Sequence, residues 1–206
     1  TIMKYLLGIA FLLYQAVASN DIPQYTRVVT FGDSTTDSGI AYRISNRTSS
    51  HVPPFNNRGG FVDDLVRNEV LTQKLLLNAT LQNFACGSAT ADNAIAQGIM
   101  SRNANLVANY EIRSRTKLPG VRQQIDLCIN EMMNKFIDFD RTLYMIWSGT
   151  NNYCFNKSLT DLDTVTSIID YVRYLAVFDA RNIAIINEPP VDLFPAFRNK
   201  AETATI

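Results

Sequence analysis

The sequence predicts an α/β fold of three layers, in which helices cover both faces of a parallel sheet. Two observations predict it. Short β-branched or apolar runs alternate along the chain with longer amphipathic patterns, and most of these runs end in clusters of small and polar residues. Strands that alternate with helices form right-handed βαβ units with parallel strands. A length of 206 residues with 47% hydrophobic residues is typical of one domain with a substantial core.

Four strands are predicted from the β-branched and apolar runs. They lie at 27–31, 75–84, 142–147 and 182–186. The first ends at Gly32, the second is interrupted at Asn78, and Pro189 follows the last. Because helical patterns separate most of the strands, we expect them to pair in parallel.

Three helices are predicted from apolar residues that recur every three to four positions. They lie at 61–71, 121–136 and 162–176. The apolar face of the second comprises Val121, Ile125, Cys128, Met132 and Phe136. The apolar face of the third comprises Leu162, Val165, Ile169, Val172 and Ala176. The segment 40–60, which is rich in Ser, Asn, Pro and Gly, is predicted to be a long loop.

The charge balance argues against a nucleic-acid partner. Nineteen basic residues offset nineteen acidic ones, and no run of Lys and Arg forms a local basic patch. We therefore expect no binding of nucleic acid.

The N-terminus has the features of a secretory signal peptide. Lys4 precedes an apolar run at 5–14, and Ala16-Val17-Ala18 is a small-x-small cleavage site. The run is shorter than the ~20 residues that span a bilayer. We expect cleavage after Ala18, a folded domain at 19–206, secretion, and no stable membrane insertion of the mature chain. A membrane anchor or a buried helix is the alternative.

Sequons and cysteines fit a secretory route. The three N-x-S/T sequons begin at Asn46, Asn78 and Asn156. Of the three cysteines, Cys86, Cys128 and Cys154, one must be unpaired or have a partner elsewhere. A Cys128–Cys154 bridge is one option that the sequence leaves open. No cysteine spacing resembles a zinc site.

Three clusters of small and polar residues each follow a predicted strand. They are FGDSTTDSG at 31–39, NFACGSATA at 83–91 and WSGTNN at 147–152. Ligands of open α/β sheets bind beyond the carboxyl ends of the strands. We therefore expect the three clusters to meet at that edge and to form the functional site.

The first cluster contains the candidate nucleophile, Ser34. Gly32 permits a sharp exit from the strand, so that Ser34 lies at the sheet edge where a helix could begin. The N–H groups and dipole of such a helix would favour a serine alkoxide and an oxyanion. The alternative is an ordinary helix cap, with Asp33 or Ser34 as the capping residue.

The other two clusters offer donors for an oxyanion. Small residues after the second strand allow close approach of the backbone. An asparagine at the end of the third strand, Asn151, can direct its side-chain amide at a developing negative charge. The alternatives are a plain strand-to-helix turn in one case and an Asx turn in the other.

Together the clusters resemble the first three motif blocks of the GDSL (SGNH) hydrolases, in the same order. The stretches VPPFNNRGGFVDDL and ARNIAIINEPPVDLFPAF resemble the fungal secreted branch of that family. The likeness covers roughly residues 25–198. It implies a flavodoxin-like fold that needs no metal or organic cofactor.

The resemblance also implies roles for single residues. Ser34 matches the nucleophile, and its own N–H matches one oxyanion donor, with Gly32, Asp33 and Asp37 as the rest of the motif. Asn151, preceded by Gly149, matches the side-chain donor. The remaining donor is a glycine N–H that falls on Ser88 here, directly after Gly87. The residue after the asparagine, usually Asp in the family, is Asn152.

The base of the family lies in a D-x-x-H block near the C-terminus, which this chain does not contain. Asp192 is followed three residues later by Pro195, and the single histidine, His51, lies in the predicted long loop. We interpret the chain as a fragment without the last strand and helix of the sheet, or as a short protein that has lost activity.

The resemblance predicts a secreted serine ester hydrolase, of the carboxylesterase, acetylesterase or lipase type. Small esters or acetylated plant carbohydrates are the expected substrates. The alternative is a secreted binding or structural protein, catalytically inactive, on the same scaffold. A flavodoxin-type nucleotide binder is disfavoured because no glycine-rich phosphate loop precedes a helix.

Overall fold

Four parallel strands form the central sheet of the computed structural model. They are β1 (Arg27–Gly32), β2 (Thr80–Asn83), β5 (Thr142–Trp147) and β6 (Asn182–Ile185), in the spatial order β2-β1-β5-β6. The structure describes residues 24–45, 56–76, 79–100, 116–133 and 135–188. The predicted signal peptide, His51, Asn46 and Asn78 lie outside these residues, as does the segment that begins at Pro189.

Register places the carboxyl ends of the central strands side by side. Gly32 at the end of β1 pairs with Trp147 at the end of β5, and Thr30 pairs with Asn83 at the end of β2. The β5–β6 ladder continues in the same direction, with Ile146 opposite Ile185. All strands therefore deliver their following loops to one edge of the sheet. The predicted parallel α/β architecture is confirmed.

Helices and two short strands fill the connections. The helices are α1 (Ile40–Ile44), α2 (Arg67–Val70), α3 (Val121–Met132), α4 (Thr150–Phe155) and α5 (Asp161–Val177), and a π-helical turn, Leu71–Leu75, extends α2. β3 (Ile99–Met100) and β4 (Thr116–Lys117) form a separate antiparallel pair. No helix within the described ranges combines the length and the apolar character needed to cross a membrane.

The core lies between the sheet and helices α3 and α5. Phe31 and Ile146 from the sheet are fully buried, as are Val121 and Ile125 from α3, and Leu175 of α5 is 1% exposed. Burying such side chains contributes roughly 1.5–3 kcal/mol each. This packing fixes the central strands, and with them the edge at which the three clusters meet.

Two sequence predictions for the first half of the chain are wrong in detail. The helix predicted at 61–71 begins only at Arg67, because 61–66 form irregular bends. The second strand begins at Thr80, because the apolar residues near Leu75 belong to the π-helical turn. A short apolar run does not by itself distinguish helix from strand.

The predicted faces of the later helices are partly wrong. α3 ends at Met132, so Phe136 lies outside it and is 95% exposed. On α5 the residues turned to the core are Thr164, Tyr171 and Leu175. The predicted apolar stripe of α5 is largely exposed, with Leu162 at 73%, Val165 at 49% and Ile169 at 43%.

The cysteines are not bridged as suggested. Cys128 is a buried free thiol of α3 with its Sγ 3.3 Å from the sulfur of Met132. Burial raises the pKa of Cys128 to about 12, and burial also raises the pKa of Cys86 well above its ordinary value. Both thiols therefore stay protonated and unreactive at neutral pH.

Candidate active site

The first cluster forms a tight turn directly after β1. A Cβ at Gly32 would collide with the carbonyl oxygen of Trp147, so only glycine allows β1 and β5 to end this close together. Asp33 O then accepts the N–H groups of Thr36 (3.1 Å) and Asp37 (2.9 Å). No helix begins at Ser34, contrary to the expectation, because α1 starts only at Ile40.

Ser34 lies half-buried on this turn with its polar groups open. Within the described ranges neither its N–H nor its Oγ takes part in a hydrogen bond. The expected alternative, Asp33 or Ser34 as cap of a helix, does not describe the structure: Asp33 Oδ1 instead accepts Thr35 N (3.0 Å) and Thr35 Oγ1 (2.7 Å). The turn thus presents a serine whose hydroxyl and amide remain available to a ligand.

The buried carboxylate of Asp37 accepts four backbone N–H groups around the turn. Its Oδ1 accepts the N–H groups of Gly39 (2.7 Å) and Ile40 (2.6 Å), and its Oδ2 accepts those of Ala41 (3.0 Å) and Gly87 (2.7 Å). The side chain is fully buried. Burial raises the pKa of Asp37, while the four N–H donors act in the opposite direction. One carboxylate thereby holds the start of α1 and the second cluster.

Gln124 of α3 supports the turn from below. Its Oε1 accepts Gly32 N–H (2.9 Å), and its Nε2 donates to Gly32 O (2.9 Å) and Pro119 O (3.1 Å). The side chain is completely buried. Sequence reasoning missed this residue, although a glutamine within the apolar face of a helix is a signal for a buried polar contact.

Replacing Gln124 by leucine tests this support. Leucine is of similar size but leaves the N–H of Gly32 buried without an acceptor, which costs about 1–3 kcal/mol. We expect the free energy of unfolding, measured in urea, to fall by that amount. Leu127→Gln on the half-exposed side of α3 is the control and should change stability by less than about 0.5 kcal/mol. Equal stability of both variants would contradict the assigned role of Gln124.

The second cluster is tied to the first by hydrogen bonds to backbone carbonyl groups. Cys86 N–H donates to Gly32 O (3.0 Å), and the side chain of Asn83 donates to Thr36 O (2.8 Å). Gly87 was one of two candidates for an oxyanion donor, but in this structure its N–H is used by Asp37. The N–H of Ser88 forms no hydrogen bond within the described part of the chain.

Ser88 has a backbone conformation that suits glycine. Its φ is 61°, in the left-handed region that costs most other residues about 1–2 kcal/mol. The backbone at this position therefore favours glycine, the residue that the family resemblance implies here, although this chain carries a serine. Of the two predicted donors, Ser88 is the one whose N–H remains available.

The third cluster is tied to the second by two asparagine side chains. Asn151 Nδ2 donates to Ala89 O (3.0 Å), which leaves the second N–H of this amide available. Asn152 Oδ1 accepts Ala91 N–H (2.8 Å), and its Nδ2 donates to Thr164 Oγ1 of α5 (2.9 Å). Asn152 is fully buried, and an amide supplies the acceptor and the donor that these two partners use.

An acidic side chain from the segment after β6 contacts the third cluster. Glu188, three residues after the end of β6, accepts a hydrogen bond from Thr150 Oγ1 at 2.8 Å. Burial raises the pKa of Asp33 to about 6, and the charge of Glu188 acts in the same direction, while hydrogen bonds from Thr35 oppose both. Glu188 was not predicted, because nothing in the sequence indicates that the loop after β6 returns to the start of α4.

Asp33 predicts a pH dependence of stability. Its folded pKa of about 6 lies above the ordinary 3.8, so ionisation disfavours the folded state. This penalty is absent below about pH 4, grows between pH 4 and 6, and reaches about 3 kcal/mol above pH 6. Asp33→Asn keeps the acceptor for Thr35 and removes the charge. We expect its stability relative to the unmodified protein to rise by about 3 kcal/mol from pH 4 to pH 7.

Urea unfolding at several pH values measures this difference. The matched control is Asp170→Asn on the exposed surface of α5, where the relative stability should stay within about 0.5 kcal/mol. A difference between Asp33→Asn and the unmodified protein that does not change with pH would contradict the buried, partly protonated state of Asp33.

Two other predictions concern glycosylation and metals. Asn156, the described sequon asparagine, donates its Nδ2 to Ile95 O (3.0 Å), so the atom that a glycan would occupy is engaged in the fold. In the described ranges, no group of three or more His, Cys, Asp or Glu side chains is arranged to hold a metal ion.

Comparison with known proteins finds a distant relative. The chain is 26% identical over 198 residues, 95% of its length, to the phosphatidylcholine-sterol acyltransferase of Aeromonas hydrophila. It spans about half of that protein, 53% of its length. No protein-family model matches the chain. That relative is named for acyl transfer, and the match does not bear on the fungal branch.

Proposed function

We propose that this chain carries the nucleophile and the oxyanion donors of a serine ester hydrolase or acyltransferase. Ser34 is the nucleophile, and the N–H groups of Ser34 and Ser88 and the amide of Asn151 are the donors. The observation that carries the proposal is the chain of hydrogen bonds from Gly32 to Cys86 and from Ala89 to Asn151, which joins three distant clusters at one edge of the sheet.

The chemistry follows from these groups. Ser34 Oγ forms a bond to the carbonyl carbon of an ester, while its proton passes to a base. The donors stabilise the oxyanion of the tetrahedral intermediate. The bond from carbon to the alcohol oxygen then breaks, and the alcohol leaves with the proton. Water or a second alcohol then attacks the acyl carbon and gives its proton to the base. The bond between Ser34 Oγ and the acyl carbon breaks, and the base returns the proton to Oγ, which completes hydrolysis or acyl transfer.

The base is proposed to come from outside the described residues, in the D-x-x-H block that the family resemblance implies. The surface near β6 supports this proposal. β6 is an outer strand of the described sheet, Ile185 on it is 48% exposed, and the apolar stripe of α5 is open. Exposed parallel strands and apolar helix faces are normally covered. We propose that the part of the protein with the base covers this surface.

The substrate is proposed to be an acyl ester of a lipid or of a carbohydrate. The name of the distant relative favours a lipid ester, whereas the likeness to the fungal secreted branch favours an acetylated plant carbohydrate. We also propose that the protein is secreted after cleavage behind Ala18. Rates on matched panels of long-chain lipid esters and acetylated oligosaccharides distinguish the two substrate classes.

Labelling by a fluorophosphonate tests the proposed function. The probe is applied to the natural gene product, expressed from its complete reading frame, and the adduct is mapped by mass spectrometry. We expect a single adduct on Ser34 that Ser34→Ala abolishes and Ser38→Ala retains. An adduct on another serine, or none at all, would refute the assignment.

The 206-residue chain by itself is expected to be nearly inactive. Without the base of a D-x-x-H block, which this sequence does not contain, a serine enzyme loses several orders of magnitude in rate, and the edge of β6, unpaired within the described sheet, favours aggregation. Hydrolysis of p-nitrophenyl acetate by this chain should therefore be close to the uncatalysed rate. Rapid turnover that depends on Ser34 would show that the 206 residues already contain a base.

A further inference from the structure

Glu188 has an unusual position beside the site. It follows β6, yet its carboxylate reaches the first residue of α4, where Oε2 accepts the hydroxyl of Thr150 at 2.8 Å. Its side chain lies over Gly149, since a Cβ built there would come within 3.4 Å of Glu188 Cγ. This hydrogen bond, called the clasp below, connects the segment after β6 to the start of α4, which follows β5.

Two hydrogen bonds hold the segment that contains Asn151. On one side its amide donates to Ala89 O at 3.0 Å. On the other side the preceding residue, Thr150, is held by Glu188. α4 has no side-chain cap at Gly149, its N-cap residue. The hydrogen bond to Glu188 is therefore the contact that fixes the hydroxyl at the start of this short helix, directly beside the candidate donor.

The second oxygen of Glu188 limits the stability that the clasp provides. Oε1 is buried and accepts no hydrogen bond within the described ranges. A buried carboxylate oxygen without a partner costs free energy. The contact therefore stabilises the fold less than a fully paired carboxylate would, while it still fixes the residue next to Asn151.

We propose that Glu188 is a positioning residue for Asn151, which acts through Thr150 to hold the side-chain amide in the geometry of an oxyanion donor. This inference rests on the proposed function and extends it, because it assigns a role to a residue outside the three motif clusters. The general reason is that a donor displaced by about 1 Å can lose much of its effect on the rate.

A double-mutant cycle on the natural gene product tests the inference. The variants are Glu188→Ala, Thr150→Val and their combination, and the reaction is inactivation by a fluorophosphonate. Both the maximal inactivation rate and the half-saturating probe concentration are measured. We expect each single variant to lower the maximal rate about ten-fold with the half-saturating concentration unchanged. The double variant should be no slower than the single ones, because both changes break the same contact.

Conservative variants provide the rescue. Glu188→Gln still accepts the hydroxyl, and Thr150→Ser still donates one, so both should retain the maximal rate within about two-fold. Asp170→Ala, on the exposed side of α5, is the control and should not change either constant. Thr150→Val keeps the experiment decisive if Glu188→Ala does not fold.

The outcomes distinguish the positioning role of Glu188 from the proposed function. If Ser34 is labelled at the normal maximal rate in Glu188→Ala and in Thr150→Val, the positioning role is wrong while the proposed function stands. Multiplicative effects in the double variant would equally overturn it, because they would show independent roles. If Ser34 is not labelled in the unmodified protein, the proposed function itself is refuted.

Discussion

Replacing Asn151 by alanine is expected to lower the rate of acyl transfer by about 10²–10³-fold, the usual effect of removing one oxyanion donor. The amide of Asn151 has one N–H on Ala89 O and the second available for substrate. Its loss removes a donor that acts most strongly in the transition state, so kcat should fall while KM changes little. Ester hydrolysis by the natural gene product measures both constants.

The control for Asn151 is a variant of similar shape. Asn151→Asp preserves the size of the side chain but replaces the N–H donors by a negative charge, and it should be at least as slow as Asn151→Ala. The loss of the hydrogen bond to Ala89 O should cost only about 1 kcal/mol of stability. A kcat within three-fold of the unmodified protein would remove Asn151 from the site.

Replacing Asp37 by asparagine is expected to destabilise the fold more than any other single change considered. The carboxylate accepts four backbone N–H groups, two on each oxygen. In Asp37→Asn the amide nitrogen faces two of these donors, so two buried N–H groups lose their acceptor, at a cost of about 1–3 kcal/mol each. A loss on the order of 4 kcal/mol is a large share of the 5–15 kcal/mol that stabilises a typical domain.

Thermal and urea unfolding measure the effect of Asp37. We expect the midpoint of thermal unfolding to fall by about 10 °C, given about 2–4 °C per kcal/mol for a protein of this size. Asp170→Asn, at an exposed ion pair with Arg173, is the matched control with an expected shift below about 2 °C. Equal midpoints for the two variants would show that Asp37 does not organise the turn.

The sequence predicts the central strands well and the later helix faces poorly, for a physical reason. β5 is observed at the predicted residues and β1 ends at the predicted glycine, because central parallel strands are buried on both faces and are almost continuously apolar. On α5, periodicity indicates an apolar stripe but not which side has a neighbour. The core contacts of that helix are made by Tyr171 and Leu175 instead.

In the candidate site, too, the sequence indicates residues in local motifs but not contacts between distant segments. Ser34, Ser88 and Asn151 could be proposed as site residues from the sequence, because each lies in a local motif after a strand. The contacts of Gln124 and Glu188 could not be predicted, because they join residues 92 and 38 positions apart. The position of Gln124 on the apolar face of a helix indicates a buried polar contact, but its partner depends on the tertiary fold.

The glutamine under the turn after β1 has a consequence for the order of folding. The hydrogen bond between Gln124 and Gly32 joins residues 92 positions apart, so local interactions alone cannot form it. Helix α3 must pack against the sheet before the turn after β1 is supported. Contacts between segments so far apart in the chain carry a high loop-closure entropy and form slowly. A newly synthesised chain would therefore acquire its strands and helices before it acquires the proposed catalytic edge, and mild denaturation would disrupt that edge while most of the secondary structure persists.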